Sequence, residues 1–155
     1  MQALLAALGF GDAPIQAYGF WNEADHPNPD VAPEALVAAS SRAELVVAKS
    51  IGTQVAMLAC RDHGLAPRTC VFLATPLRRF EELDLVPLLE SHCAVMDTLF
   101  VQQTADYNGA YADLAKIVGR FPRCRIAEIP GDDHLYEDIA LIAPIVRGWL
   151  DARDL

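Results

Sequence analysis

A doubly wound α/β domain, built on a mainly parallel sheet of about five strands flanked by helices, is the fold this 155-residue sequence predicts. Three observations predict it. Short apolar runs without alternation recur along the chain, as expected of strands covered on both faces. Segments with helical spacing of apolar residues lie between them. Strand and helix therefore alternate, the pattern of a parallel sheet joined by crossover helices.

The elements follow in order. Met1 to Leu8 is apolar, lacks a basic leader and stops at Gly9, so it reads as a helix and not as a signal peptide. Ile15 to Phe20 is expected to be the first strand, and the Pro-rich stretch Asp25 to Pro33 a loop. A helix from Pro33 to about Arg42 follows, because Pro suits a first helical turn. Leu45 to Ala48 is the second strand. Ile51 to His63 then places Val55, Leu58 and Ala59 on one helical face and ends at Gly64, a residue suited to the left-handed position after a helix. Cys70 to Leu73 is a strand, followed by a helix that ends near His92. Leu99 to Val101 and Ile126 to Ile129 are the last two strands, with a helix around Leu114, Ile117 and Val118 between them. Ile139, Ile142, Val146 and Trp149 mark the final helix. With no repeat or linker in view, residues 1–155 read as one domain.

Composition narrows the function. Hydrophobic residues make up 53% and charged residues 21%, which excludes a disordered chain. A formal net charge of −9 repels phosphate backbones, so nucleic acid is not an expected partner. No run reaches the roughly 18 apolar residues of a membrane span. Cys60, Cys70, Cys93 and Cys124 form no CxxC pair and have no histidine at metal-site spacing, so they are expected to be buried thiols without a metal. A cytoplasmic protein acting on a small molecule, without organic cofactor, is the expectation.

The chemistry concentrates where the strand Glu44-Leu-Val-Val-Ala runs straight into a helix through Lys49-Ser50-Ile51-Gly52. A strand-to-helix turn this tight needs small residues two positions either side of an exposed nucleophile. Gly52 supplies one and Ala48, in place of Gly, the other. Such a turn points Ser50 out at the carboxyl edge of the sheet and sets the Ile51 amide, at a helix N-terminus, toward a developing oxyanion. A serine that merely caps the helix is the alternative.

This segment resembles the nucleophile elbow of the α/β-hydrolase superfamily, whose partners follow in the order Ser, acid, His. Asp106 comes after the strand near Thr98 to Gln102, and His134 after the next strand in Ile129-Pro-Gly-Asp-Asp-His. The resemblance implies a small lidless serine hydrolase acting on an ester or related acyl substrate. In it Ser50 attacks, His134 takes its proton and Asp106 supports the imidazole. Among competing acids, Asp97 starts a strand and so sits at the wrong edge, while Asp132 and Asp133 adjoin His134 and are expected to shape its turn. Phe20, Trp21 and Tyr107 are expected to line the acyl pocket, with Tyr136 a further aromatic near it. His63 and His92 read as helix-terminal residues. His26 reads as a loop residue that could also touch substrate.

The resemblance further implies an earlier strand whose Gly-rich loop gives a second oxyanion donor. The helix Met1 to Leu8 corresponds to the one after that loop, so an N-terminally shortened domain is expected. An unpaired sheet edge invites pairing, hence a homodimer through that edge is a further expectation. A non-catalytic hydrolase-like module that binds a small molecule or a protein is the alternative function.

Overall fold

The computed structural model describes residues 1–22 and 29–155. Its elements are α1 (Gln2–Ala7), a short 3₁₀ turn (Gly19–Asn22), α2 (Ala32–Ser40), β1 (Leu45–Lys49), α3 (Ile51–Asp62), β2 (Thr69–Leu73), α4 (Leu77–Glu82), α5 (Val86–Val95), β3 (Thr98–Gln103), α6 (Tyr111–Val118), β4 (Cys124–Ile129) and α7 (Ile139–Asp151). The four strands are all parallel and lie side by side in the order β1-β2-β3-β4. Each crossover thus steps one strand in the same direction, so the sheet is wound one way, not doubly.

Both faces are nevertheless covered, because successive side chains of a strand point to opposite faces. Ala48, Cys70, Phe72 and Phe100 face the crossover helices α3 to α6, where Met57, Phe80, Leu89 and Leu114 meet them. Val71, Leu73, Leu99, Val101 and Ile129 face the other way, onto Leu4 and Leu8 near the start of the chain and Ile142, Val146 and Leu150 of α7. The central strands β2 and β3 are buried at every residue, which is why residues 70–73 and 99–101 within them read as apolar runs. Phe72 and Phe100 meet edge to face with centroids 5.6 Å apart, and burying each ring contributes about 1.5–3 kcal/mol.

One expected strand is not there. Ile15–Tyr18 runs without a ladder and Gly19–Asn22 closes into the 3₁₀ turn. Through the Gln16 side-chain amide and the Gly19 backbone N–H, the segment is tied instead to Glu34 in the first turn of α2. Gln16 donates to its carbonyl at 3.0 Å and to its carboxylate at 2.8 Å, and the Gly19 N–H donates to that carboxylate at 2.7 Å. The sheet therefore has four strands among the described residues, with β1 and β4 at its edges.

The connection from β2 to β3 holds two helices where the sequence suggested one. Asp84, at φ 54°, breaks the chain between α4 and α5. No helix among the described residues is long and apolar enough to cross a membrane.

Candidate functional site

The turn between β1 and α3 is held from β2. The Ser50 N–H donates to the Leu73 carbonyl at 2.9 Å, continuing the β1-β2 ladder one residue past the strand. The chain then reverses into α3 at Ser50, with φ 54° and ψ −129°. Residues carrying a Cβ seldom adopt such a conformation, which costs about 1–3 kcal/mol and persists where the surroundings enforce it. A Cβ on Gly52 would lie 2.7 Å from the Tyr18 hydroxyl oxygen and 3.8 Å from the Ala48 Cβ. The first distance explains the glycine. The second is an ordinary contact, so the Ala48 methyl does not crowd position 52.

Ser50 occupies the N-cap position of α3, yet its side chain makes no capping bond. Its hydroxyl lies 2.8 Å from Nε2 of His134 instead. The opposite ring nitrogen, Nδ1, faces Asp106, 2.9 Å from Oδ1 and 2.8 Å from Oδ2. Ser50, His134 and Asp106, the three residues expected to meet, are thus joined in one hydrogen-bonded relay. Each follows the carboxyl end of a strand: Ser50 after β1, Asp106 after β3 and His134 after β4. An open parallel sheet gathers its loops at that edge.

The three members differ in exposure. The Asp106 carboxylate is fully buried, the His134 side chain is 12% exposed, and Ser50 is half-buried. Burial pushes the Asp106 carboxyl pKa up. Hydrogen bonds from His134, from the Asn108 N–H at 2.8 Å and from the Tyr136 hydroxyl at 2.9 Å outweigh it and hold the pKa below its ordinary value. Asp106 is therefore an anion facing an imidazole that faces a hydroxyl. Such an order can draw a proton from the serine and stabilise the imidazolium that results.

Ile51 is the first residue of α3, where the helix itself offers its N–H no acceptor. That N–H follows Ser50 directly in the chain and sits at the positive end of the helix. Tyr107 is 64% exposed, with its ring 5.5 Å from that of His134, and Leu135 is 51% exposed. They form an apolar rim on the histidine side.

Phe20 stacks on Tyr18 at 5.1 Å and packs with Val31, Ala35 and Val55 between α2 and α3, so its ring serves that packing. Trp21 contributes its backbone to the 3₁₀ turn; the expectation for its side chain, like that for His26, lies outside the described residues.

Two of the competing acids take other roles. Asp97 lies at the amino end of β3, 3.4 Å from Arg123 and 3.6 Å from Arg153. Asp133 accepts from the Leu135 N–H and from Gln103 Nε2, both at 2.9 Å, and so shapes the histidine turn. His63 caps the end of α3. His92 is a core residue, bonded to the Thr98 hydroxyl at 2.9 Å and stacked on Phe72.

Three residues at the site went unassigned in the sequence, and a fourth was given another place. Gln103 holds the histidine loop, its Oε1 accepting from the His134 N–H at 3.0 Å. Gln102 spans from Asp106 to the Thr75 backbone. Lys49 donates to the Leu135 carbonyl, tying the serine turn to the histidine loop. Tyr136, expected near a pocket, is buried with its hydroxyl on Asp106. The available signal was two consecutive glutamines closing an otherwise apolar strand, where polar side chains need a buried partner.

A groove of about 700 Å³ opens at the other end of the molecule, between β4 and the C-terminal half of α7, and none of the three relay residues lines it. Among the described residues, no group of His, Cys, Asp and Glu is placed to hold a metal ion. Comparison of the chain with protein-family models, curated proteins and solved structures gave no match.

Proposed function

We propose that this chain is a serine hydrolase of the α/β-hydrolase type, acting on a small ester or related acyl compound through an acyl-enzyme. One observation carries the reading: Ser50 adopts a costly backbone conformation, forgoes capping α3, and bonds an imidazole backed by a buried carboxylate. A serine present only to start a helix would accept from the helix amides instead.

In this reading Oγ of Ser50 attacks the acyl carbonyl carbon while Nε2 of His134 takes the hydroxyl proton. Asp106 stabilises the imidazolium, and the Ile51 N–H donates to the oxyanion. Collapse of the tetrahedral adduct expels the leaving group, which takes the proton from His134. Water, deprotonated in turn by His134, then releases the acid and restores Ser50. Neither metal nor organic cofactor enters these steps.

Two further parts belong to the same reading. The outer edge of β1 has no ladder partner among the described residues, and a second copy of the chain pairs there. The four free thiols suit a reducing, cytoplasmic compartment.

A hydrolase-like module that binds without turnover is the second reading, favoured by the single oxyanion donor assigned at Ile51. Losing one such donor costs on the order of 10²–10³ in rate. Incubation with p-nitrophenyl acetate followed by rapid acid quench separates the two. The first expects an acetyl adduct on Ser50 and sustained release of p-nitrophenol; the second expects neither.

A further inference from the structure

His134 and Tyr136 stand two residues apart in a loop where both take left-handed backbone angles, φ 59° and φ 55°. Such angles are uncommon for residues with a Cβ, and here they send both side chains to one carboxylate. Nδ1 of His134 faces both oxygens of Asp106, and the Tyr136 hydroxyl lies 2.9 Å from Oδ2.

The direction of the tyrosine bond is fixed by a third group. The Gln103 N–H lies 2.7 Å from the same hydroxyl and can only donate, so the hydroxyl oxygen accepts there. Its single proton is then committed to Asp106. Tyr136 is 5% exposed, and burial pushes its phenol pKa well above the ordinary value, so the group remains a neutral donor. The Asn108 N–H holds Oδ1, whereas Gln102 Nε2, at 3.4 Å, is a weak partner for Oδ2. Without the tyrosine, Oδ2 would rely on His134 itself and on that long contact.

We propose that Tyr136 is a positioning residue of this site, holding the Asp106 carboxylate against rotation so that it orients the His134 imidazole toward Ser50. The inference rests on reading Ser50, His134 and Asp106 as a hydrolytic relay. The titratable groups around the imidazole are Asp106, Tyr107 and Tyr136, with Asp133 and Lys49 flanking its loop.

The test is Tyr136→Phe, which keeps the ring whose edge meets His134 and removes only the hydroxyl. The readouts are the rate of Ser50 labelling by a fluorophosphonate and the pH profile of kcat/KM on p-nitrophenyl acetate. A labelled parent and a variant with kcat about tenfold lower and KM little changed are expected, the factor that corresponds to 1.4 kcal/mol. The acidic limb is expected to move to higher pH, since a carboxylate with one donor fewer holds the imidazolium more strongly. Replacing Tyr136 with 3-fluorotyrosine, a stronger donor with nearly the same shape, is expected to move the limb the other way, and it serves if the Phe variant does not fold. A labelled parent whose variants keep its kcat and its acidic limb overturns the positioning role alone. A parent that takes no label overturns the relay reading, and the proposal with it.

Discussion

The hydroxyl oxygen of Ser50 lies 2.8 Å from Nε2 of His134, although 84 residues separate the two along the chain. The contact exists because β1 and β4, at opposite edges of the sheet, send their carboxyl-terminal loops to the same end. If it carries chemistry, Ser50→Ala and His134→Ala should each lower ester turnover by at least about 10³-fold while leaving far-UV circular dichroism unchanged. Parental turnover in either variant would contradict the assignment.

The backbone of Ser50 makes a stability prediction that is independent of activity. At φ 54° and ψ −129° a Cβ is strained, and Ala and Gly both lack the hydroxyl. Ser50→Gly should therefore be more stable than Ser50→Ala by about 1 kcal/mol, the reverse of the usual order in regular structure. Urea denaturation of the two variants measures this directly, and the usual order would mean that the turn relaxes freely.

Gly52 and Tyr18 form a coupled pair. A methyl group at position 52 would lie 2.7 Å from the Tyr18 hydroxyl oxygen, and the Tyr18 ring is itself stacked on Phe20. Gly52→Ala is expected to lose about 1–3 kcal/mol of stability, and Tyr18→Phe in the same chain to restore part of it. A double-mutant cycle in urea with no coupling would show that the crowding is relieved elsewhere.

Asp106 sets an acid limit on stability. Its folded pKa is lowered, so its contribution is fully present above the unfolded value of about 3.9 and is lost as pH falls through the folded value. Below about pH 4 the parent should therefore lose stability more steeply than Asp106→Asn, which does not titrate. Denaturation midpoints between pH 7 and pH 2.5 compare them, and parallel curves would leave Asp106 without this role.

Much of the scaffold is legible in the sequence because parallel strands covered on both faces are mostly apolar. Val71, Phe72 and Leu73, and again Leu99, Phe100 and Val101, leave little other choice. Ile15 to Phe20 is also largely apolar, but a strand needs a neighbour, and this segment docks on Glu34 of α2 through the Gln16 side chain and the Gly19 N–H instead. Apolar content cannot reveal that. Ser50, Asp106 and His134 are suggested by the resemblance to the nucleophile elbow and its Ser, acid, His order, and the place of each after a strand agrees with that suggestion. Their supports are not: Gln103, Lys49 and Tyr136 act across long sequence distances, and Tyr136 reaches Asp106 only because two residues of its loop take positive φ. Local preference gives no sign of angles that tertiary contacts enforce.

The central claim is that Ser50 is an activated nucleophile. Intact-mass analysis of the folded protein and of Ser50→Ala after treatment with a fluorophosphonate tests it most directly. A single adduct on the parent, mapped to Ser50 and absent from the variant, is the expected result. A folded parent that remains unmodified, or a variant that labels equally well, would contradict it.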